Sequence, residues 1–271
     1  MSRFVDFNCD LGEGRDDAAV MPYISSASVA CGFHAGDEST MRDAVALCLW
    51  HGVAIGAHPS FADRQNFGRS AHRVTPGEAQ ALVVEQIRIL EGIARQAGTT
   101  LQHVKPHGAL YNQAAVDREL ADAIAGAVHA HDPGLVLYAL SGSELTAAGQ
   151  RRGLRVAHEA FAERRYEADG TLSPRSMAGA SIEDTAAAAG QVLRMLGEGC
   201  VLARTGERLQ LRVDSICLHG DRPDAADFAR ALHAAILAPG IRYRRWDADE
   251  LLAVAGHRGG GRGLRPARSS C

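Results

Sequence analysis

Five short motifs combine an ionisable side chain with glycine or proline at points where an apolar run ends. They lie at residues 8–13 (NCDLGE), 32–37 (GFHAGD), 56–60 (GAHPS), 105–108 (KPHG) and 219–221 (HGD). Glycine and proline next to such groups are typical of tight loops that bring the backbone close to a ligand. We therefore predict that these motifs form one site, although their composition does not define a reaction.

The groups best suited to acid–base or metal chemistry are two carboxylates and four histidines. Asp10 is the leading general base or metal ligand, with a helix N-cap as the alternative, and Glu13 is a second carboxylate that can act nearby. Histidines can carry protons, bind metals or form structural hydrogen bonds, and the candidates are His34, His58, His107 and His219. No H-E-x-x-H motif occurs. A divalent metal is left open, with candidate ligands Asp10, His34 and His58.

Lys105 is the one lysine among 29 basic residues, the other 28 being arginines. An indifferent surface position in this chain would have been filled by arginine, so we favour a functional Lys105 over an ordinary surface lysine. His103, Lys105 and His107 share strand parity, which directs the lysine inward between two histidines. Its compact charge suits a phosphate or a developing oxyanion. Arg69, Arg164 and Arg165 are further candidates for binding anions, with a solvated loop position as the alternative.

Short apolar runs alternate with alanine-rich helical patterns along the chain. The strand-like runs cover residues 4–9, 28–33, 53–57, 101–105, 135–140, 154–157 and 215–218, and the helical patterns lie near 38–51, 77–97, 116–130, 143–152, 181–196 and 224–237. This alternation predicts parallel strands joined by right-handed crossovers. Thr75 with Glu78 and Ser181 with Asp184 are helix start signals. Residues 200–213 are predicted to form a hairpin with its turn at 205–207.

Bulky and small or polar residues alternate within the strand-like runs. The first run places Val5, Phe7 and Cys9 on one face and Asp6, Asn8 and Asp10 on the other. An open sheet covered by helices on both sides would be bulky on both faces, so we favour a (β/α) barrel with its site at the C-terminal mouth. Residues 1–255 are predicted to form this single domain, and residues 256–271 a disordered tail rich in Gly, Arg and Ser.

Composition excludes several other classes of protein. A net charge of −3, with 23% charged and 46% hydrophobic residues, is typical of a soluble globular protein and argues against nucleic-acid binding. No apolar run is long enough for a membrane helix, and no signal core occurs at the N-terminus, so we expect a cytoplasmic protein. The six scattered cysteines are expected to be reduced core residues. Phosphate-loop, G-x-G-x-x-G and G-x-S-x-G motifs are absent from the strand ends.

The motifs, taken together, resemble the LamB/YcsF family from about residue 4 to residue 252. The matching segments are 8–13 (NCDLGE), 29–37 (VACGFHAGD), 52–60 (GVAIGAHPS), 67–69 (FGR), 104–112 (VKPHGALYN), 161–176 (FAERRYEADGTLSPRS) and 216–223 (ICLHGDRP). The resemblance implies a seven-stranded barrel of the glycoside hydrolase/deacetylase-like type. It also implies a role as the first of three components of an ATP-dependent 5-oxoprolinase, which converts 5-oxo-L-proline to L-glutamate together with partner subunits B and C.

Residues and resemblance together define the expected site. The catalytic candidates are Asp10, Glu13, Lys105, His107, His219 and Asp221, and the candidates for substrate binding are Asn8, His34, His58 and Arg69. ATP would be used by the complex as a whole. One loop departs from the family pattern, at Ala62, Asn66 and Ser70. Two alternatives stay open: a free-standing metal-dependent deacetylase or amidohydrolase, and a non-catalytic scaffold or regulatory subunit.

Overall fold

Seven parallel strands close into a barrel in the computed structural model, which describes residues 4–219 and 224–243. The described strands are β1 (Phe4–Leu11), β2 (Ser26–Ala30), β3 (Ala54–His58), β4 (His103–Val104), β5 (Val136–Leu140), β6 (Arg155–Phe161), β7 (Cys200–Leu202), β8 (Arg208–Gln210), β9 (Ser215–His219) and β10 (Arg242–Tyr243). The barrel runs from β1 to β6 and continues to β9, which pairs back with β1. The predicted seven-stranded barrel is confirmed.

Helices follow most of the barrel strands and cover the outside. The described α-helices are α1 (Glu38–His51), α2 (Pro76–Gln96), α3 (Gly108–Ala114), α4 (Arg118–His131), α5 (Glu144–Arg151), α6 (Thr185–Glu198) and α7 (Ala225–Leu237). Short 3-10 helices occupy Asp17–Ala19, Met21–Tyr23 and Arg64–Asn66. The six predicted helices are confirmed, whereas α3 was not predicted.

The helix start signals had different outcomes. Thr75 and Glu78 form a reciprocal capping box at the start of α2, as predicted. The predicted start at Ser181 is wrong, because Ser181 instead forms a bridge with Arg164. The cap of α6 is Asp184, whose side chain accepts a hydrogen bond from the N–H of Ala187 at 2.7 Å.

The alternation within β1 separates a packed outer face from a polar interior. Val5 and Phe7 lie in the hydrophobic core under the helices, as predicted. The carboxylate of Asp6 points inward and accepts hydrogen bonds from three serine hydroxyls, those of Ser25, Ser26 and Ser215. Burial raises the pKa of Asp6, although these hydrogen bonds act in the opposite direction.

Aromatic rings fill the N-terminal half of the barrel. His103 lies inside and stacks on Tyr138 with ring centroids 4.3 Å apart. Gly56 on the neighbouring strand makes room for this ring, since a Cβ atom there would lie 2.1 Å from the imidazole. Side chains therefore occupy this part of the barrel interior.

The hairpin predicted for residues 200–213 is confirmed as the antiparallel pair of β7 and β8. Strand β10 pairs in parallel with the start of β1. The predicted tail at residues 256–271 lies outside the described residues and stays a prediction. Within the described ranges, no helix is both long and apolar enough to cross a membrane.

Candidate active site

Lys105 follows β4 directly and points into the barrel, where four acceptor atoms surround its ammonium group. Its Nζ lies 2.7 Å from Asp10 Oδ1, 2.9 Å from Glu159 Oε1, 2.8 Å from Asn8 Oδ1 and 3.1 Å from Cys217 Sγ. The side chain is only 2% exposed. We call these five residues the lysine cluster. The predicted inward orientation of Lys105 is confirmed.

Electrostatics keep Lys105 charged. Burial alone would lower its pKa, but the adjacent groups of Asp10, Cys217 and Glu159 outweigh this and raise the pKa well above its usual value. Glu159 is fixed in turn, since the hydroxyl of Tyr111 donates to its Oε2 at 2.6 Å. Lys105 is therefore a fixed positive charge at neutral pH and does not serve as a proton acceptor.

Above the lysine cluster, three histidines and a carboxylate converge. His34 Nε2 lies 3.1 Å from Glu13 Oε1, His107 Nδ1 lies 3.6 Å from the same oxygen, and His58 Nε2 lies 2.9 Å from His107 Nδ1. We call Glu13, His34, His58 and His107 the histidine cluster. His58 Nε2 also lies 3.3 Å from Asp10 Oδ2, so Asp10 links the two clusters.

Burial keeps two of these histidines neutral. Desolvation and the neighbouring His58 lower the pKa of His34 to about 3. The same causes, together with His34, lower the pKa of His107 well below its usual value. At neutral pH both imidazoles therefore hold a lone pair that can accept a proton or bind a cation.

A cavity of about 470 Å³ opens above the two clusters. Its walls include Asp10, Lys105 and His107, and three arginines line it as well: Arg69, Arg164 and Arg175. Burial and the neighbouring Arg175 lower the pKa of Arg164 to about 10, which still leaves its guanidinium charged at neutral pH. The cavity thus offers carboxylate, imidazole and guanidinium groups to a small anionic ligand.

The loop that departs from the family pattern is held by its own hydrogen bonds. The carboxylate of Asp63 accepts from the side-chain amide of Asn66 at 2.9 Å and from the N–H of Ser70 at 3.2 Å. Phe67 adopts a left-handed conformation with φ of 56°, unusual for a residue with a side chain. Its carbonyl accepts a hydrogen bond from His107 Nε2 at 2.9 Å. The loop therefore orients a residue of the site while carrying Arg69.

Eight predicted site residues lie together. The lysine cluster includes Asn8, Asp10 and Lys105, the histidine cluster includes Glu13, His34, His58 and His107, and Arg69 lines the cavity. The N-cap interpretation of Asp10 is wrong, because this residue lies within β1 and no helix starts after it. His219 pairs through its backbone with Asp10, but its side chain and the whole of Asp221 lie outside the described residues.

Several residues of the site were not predicted as such, namely Glu159, Tyr111, Cys217 and Arg175. Glu159 was overlooked because the predicted strand stopped at residue 157, whereas β6 continues to Phe161. The alternation of Ala157, Glu159 and Phe161 was the available signal. Tyr111, which donates a hydrogen bond to Glu159, was missed because it lies on α3, which was not predicted.

The described cysteines are free and buried, as predicted for reduced core residues: Cys9, Cys31, Cys48, Cys200 and Cys217. Burial raises the pKa of Cys31 to about 12 and that of Cys217 well above its usual value. A thiolate nucleophile needs the opposite shift, so these two side chains are poorly suited to that role.

Known proteins are similar to this sequence over nearly its whole length. The model of the LamB/YcsF family matches residues 5–250. The chain belongs to the LamB/YcsF family. It is 50% identical over 243 residues to the A subunit of 5-oxoprolinase from Brevibacillus brevis, covering 88% of this chain and 96% of that relative. The corresponding protein of Bordetella pertussis is 50% identical over 247 residues, covering 89% of this chain and 98% of the relative.

Solved structures agree with this membership. The lactam utilization protein from Thermus thermophilus superposes with a TM-score of 0.84 and 44% identity, covering 91% of this chain and all of that one. A putative cellobiose-phosphate cleavage protein from Enterococcus faecalis has a TM-score of 0.56 at 14% identity, covering 93% of this chain and 99% of that one. The second comparison shows only that the LamB/YcsF barrel is shared with more distant proteins.

Proposed function

We propose that this chain is the A subunit of an ATP-dependent 5-oxoprolinase, a hydrolase that opens the cyclic amide of 5-oxo-L-proline to give L-glutamate. The observation that carries the proposal is the 50% identity, over nearly the full length, with relatives that bear this name. A cavity of about 470 Å³ also suits a small substrate, because small-molecule sites measure roughly 300–1,000 Å³.

The chemistry of the substrate supports separate roles for this barrel and its partner subunits. An unstrained five-membered amide is attacked slowly by water, and transfer of a phosphoryl group from ATP to its oxygen makes the ring carbon more electrophilic. Water then adds to that carbon, and the C–N bond breaks as the nitrogen takes up a proton. A second water releases phosphate from the resulting acyl phosphate. We assign phosphoryl transfer to the complex with partner subunits B and C, and ring opening to this barrel.

Asp10 is the proposed general base for the attacking water. Lys105 holds Asp10 Oδ1 at 2.7 Å, which favours the ionised carboxylate, while Oδ2 lies on the side of His58. The fixed charge of Lys105 also stabilises negative charge that develops on the substrate oxygen. His219 and Asp221 stay candidates for returning a proton to the ring nitrogen, because the neutral His107 holds its one proton on Nε2 against the carbonyl oxygen of Phe67.

The three cavity arginines are the proposed anion binders. Arg69, Arg164 and Arg175 lie on walls of the same cavity as Lys105. The substrate carries a carboxylate and, once activated, a phosphoryl group, and guanidinium groups bind both through paired hydrogen bonds. We therefore assign the selection of an anionic lactam to these three arginines.

The test is glutamate production from 5-oxoproline, with and without ATP, by this chain alone and with subunits B and C. We expect glutamate only from the complex with ATP. Replacing Asp10 with Asn should lower turnover about 10²–10⁴-fold, the usual contribution of a general base. The control is His129→Gln, an exposed position on α4, which should leave turnover unchanged.

Two other outcomes would point to other functions. The convergence of three histidines and a carboxylate also favours a metal-dependent amidohydrolase that acts alone. That function predicts hydrolysis without ATP or partner subunits. A scaffold role, in contrast, predicts that Asp10→Asn leaves the complex fully active. Either result would overturn the proposed role of this chain.

A further inference from the structure

Hydrogen bonds fix where His58 and His107 carry their protons. His58 Nδ1 lies 2.7 Å from the carbonyl oxygen of Lys105, and His107 Nε2 lies 2.9 Å from that of Phe67. A carbonyl oxygen only accepts, so both of these nitrogens must donate. In a neutral imidazole the other nitrogen then holds a lone pair. His58 Nε2 and His107 Nδ1 therefore face each other as two acceptors 2.9 Å apart.

The proton of His34 is also fixed by a hydrogen bond, in this case to Ser60. The hydroxyl of Ser60 donates to the carbonyl oxygen of Phe61 at 2.9 Å, so its oxygen accepts the hydrogen of His34 Nδ1 at 2.9 Å. The lone pair of His34 is thereby assigned to Nε2, which lies 3.1 Å from Glu13 Oε1. A second pair of acceptors is thus in close contact within the same cluster.

A single cation at the centre would satisfy both pairs. One candidate ligand atom from each of Glu13, His34, His58 and His107 lies within 4.8 Å of the other three. Without a cation, two protons would be needed, one between His58 and His107 and a second between His34 and Glu13. The other ring nitrogen of each histidine donates to a carbonyl or hydroxyl oxygen, namely His34 Nδ1, His58 Nδ1 and His107 Nε2. Such hydrogen bonds orient histidine ligands around metals.

We propose that the histidine cluster binds one divalent cation of the zinc class through His34 Nε2, His58 Nε2, His107 Nδ1 and the carboxylate of Glu13. Three nitrogens and one oxygen are a donor set that zinc accepts in tetrahedral geometry. Metal–nitrogen bonds of about 2.1 Å place neighbouring ligands roughly 3.4 Å apart, and the contacts of 2.9, 3.1 and 3.6 Å bracket that separation.

Binding requires one local movement. The rings of His34 and His107 stack with an interplanar angle of 5° and centroids 3.8 Å apart, and their lone pairs lie in the ring planes. One ring must tilt for both lone pairs to meet at a common point. The ligand set also differs from the predicted one of Asp10, His34 and His58, because Asp10 Oδ1 contacts Lys105 at 2.7 Å.

The test measures metal on the full-length chain after its metals have been removed with a chelator. Calorimetric titration with Zn²⁺ should show one equivalent per chain, and Co²⁺ should give the visible absorption of a tetrahedral site. His34→Gln and His107→Gln should each weaken Zn²⁺ binding by at least about 100-fold, and Ser60→Ala by roughly 10–100-fold because it frees the His34 tautomer. His51→Gln, at an exposed position on α1, is the control and should bind normally.

Absence of saturable Zn²⁺ and Co²⁺ binding by the wild-type chain would overturn the proposal. Equal binding by wild type and a folded His34→Gln/His107→Gln double variant would also overturn it, with folding checked by circular dichroism. A Co²⁺ spectrum without tetrahedral bands refutes the ligand set even if both variants fail to fold. These readouts need neither 5-oxoproline nor ATP, so their outcome is independent of the proposed function.

Discussion

Replacing Lys105 with Met should strongly destabilise the barrel as well as impair any reaction in it. The ammonium lies 2.7 Å from Asp10 and 2.9 Å from Glu159, and all three side chains are at most 6% exposed. Methionine preserves most of the volume but leaves two buried carboxylates facing each other. Removal of one partner from a buried ion pair costs about 3–5 kcal/mol, a large share of the roughly 5–15 kcal/mol by which a domain is stable.

The loss should depend on pH in a defined direction. In the wild type the pKa of Lys105 is raised, so its stabilising contribution is present below the unfolded lysine value of about 10.4 and is lost only at more alkaline pH. That contribution is constant between pH 5 and 8. In the variant, one of the two facing carboxylates of Asp10 and Glu159 must bind a proton in the folded barrel. In the unfolded chain both carboxylates lose their protons near pH 4. The deficit relative to wild type should therefore grow as the pH rises from 5 to 8.

Urea unfolding followed by circular dichroism at pH 5, 6.5 and 8 measures this difference. The double variant Lys105→Met/Glu159→Gln should recover part of the loss, because one carboxylate is replaced by a neutral amide. The control is Arg42→Met, which breaks an exposed ion pair with Glu38 on α1 and should cost less than about 1 kcal/mol. A loss below about 1 kcal/mol for Lys105→Met, or a deficit that does not change with pH, would refute the assigned charges.

Three further predictions concern other parts of the chain. Gly56→Ala places a Cβ atom 2.1 Å from the His103 ring, so we expect a loss of about 1–3 kcal/mol in urea unfolding, and an unchanged midpoint would contradict the tight packing. Thr75→Ala removes the capping box of α2 and should cost about 1 kcal/mol, with Thr100→Ala outside any helix as the comparison. Arg69→Met should raise the KM of the reconstituted complex for 5-oxoproline on the order of tenfold, the loss of one charged hydrogen bond. An unchanged KM would remove Arg69 from the proposed anion site.

Alternation in sequence was enough to predict the closed barrel and the inward direction of Asp10 and Lys105. Strand parity carries this information because a single period of two decides which side chains face the interior. The prediction failed where a strand extended beyond the apolar run that was recognised in the sequence. The run predicted for 154–157 stopped two residues before Glu159, although β6 continues to Phe161. Ends of elements depend on tertiary contacts, such as those that Glu159 makes with Lys105 and Tyr111, which local patterns do not contain.

The distances that separate the two clusters could not be predicted from the motifs. The placement of the motifs at strand ends predicted that Asp10, His34, His58 and Lys105 lie near one another, but not which pairs are in contact. That choice depends on the depth of each residue in the barrel. Asp10 and Lys105 are close enough to form an ion pair, whereas Glu13, three residues further on, reaches the histidines. The carboxylate that was predicted first as a metal ligand is thus engaged by the lysine, and the carboxylate that contacts His34 is that of Glu13.

Asp10 is the residue through which the two clusters should influence each other. Its Oδ1 contacts Lys105 at 2.7 Å and its Oδ2 lies 3.3 Å from His58 Nε2, the same nitrogen that lies 2.9 Å from His107. A cation bound at the histidine cluster would draw the lone pair of His58 away from Asp10. The proton affinity of the proposed base would then respond to occupancy of the histidine cluster, while Lys105 holds the other oxygen in place. Lys105→Met and His34→Gln should therefore show non-additive effects on turnover if both act through Asp10, and additive effects if the clusters are independent.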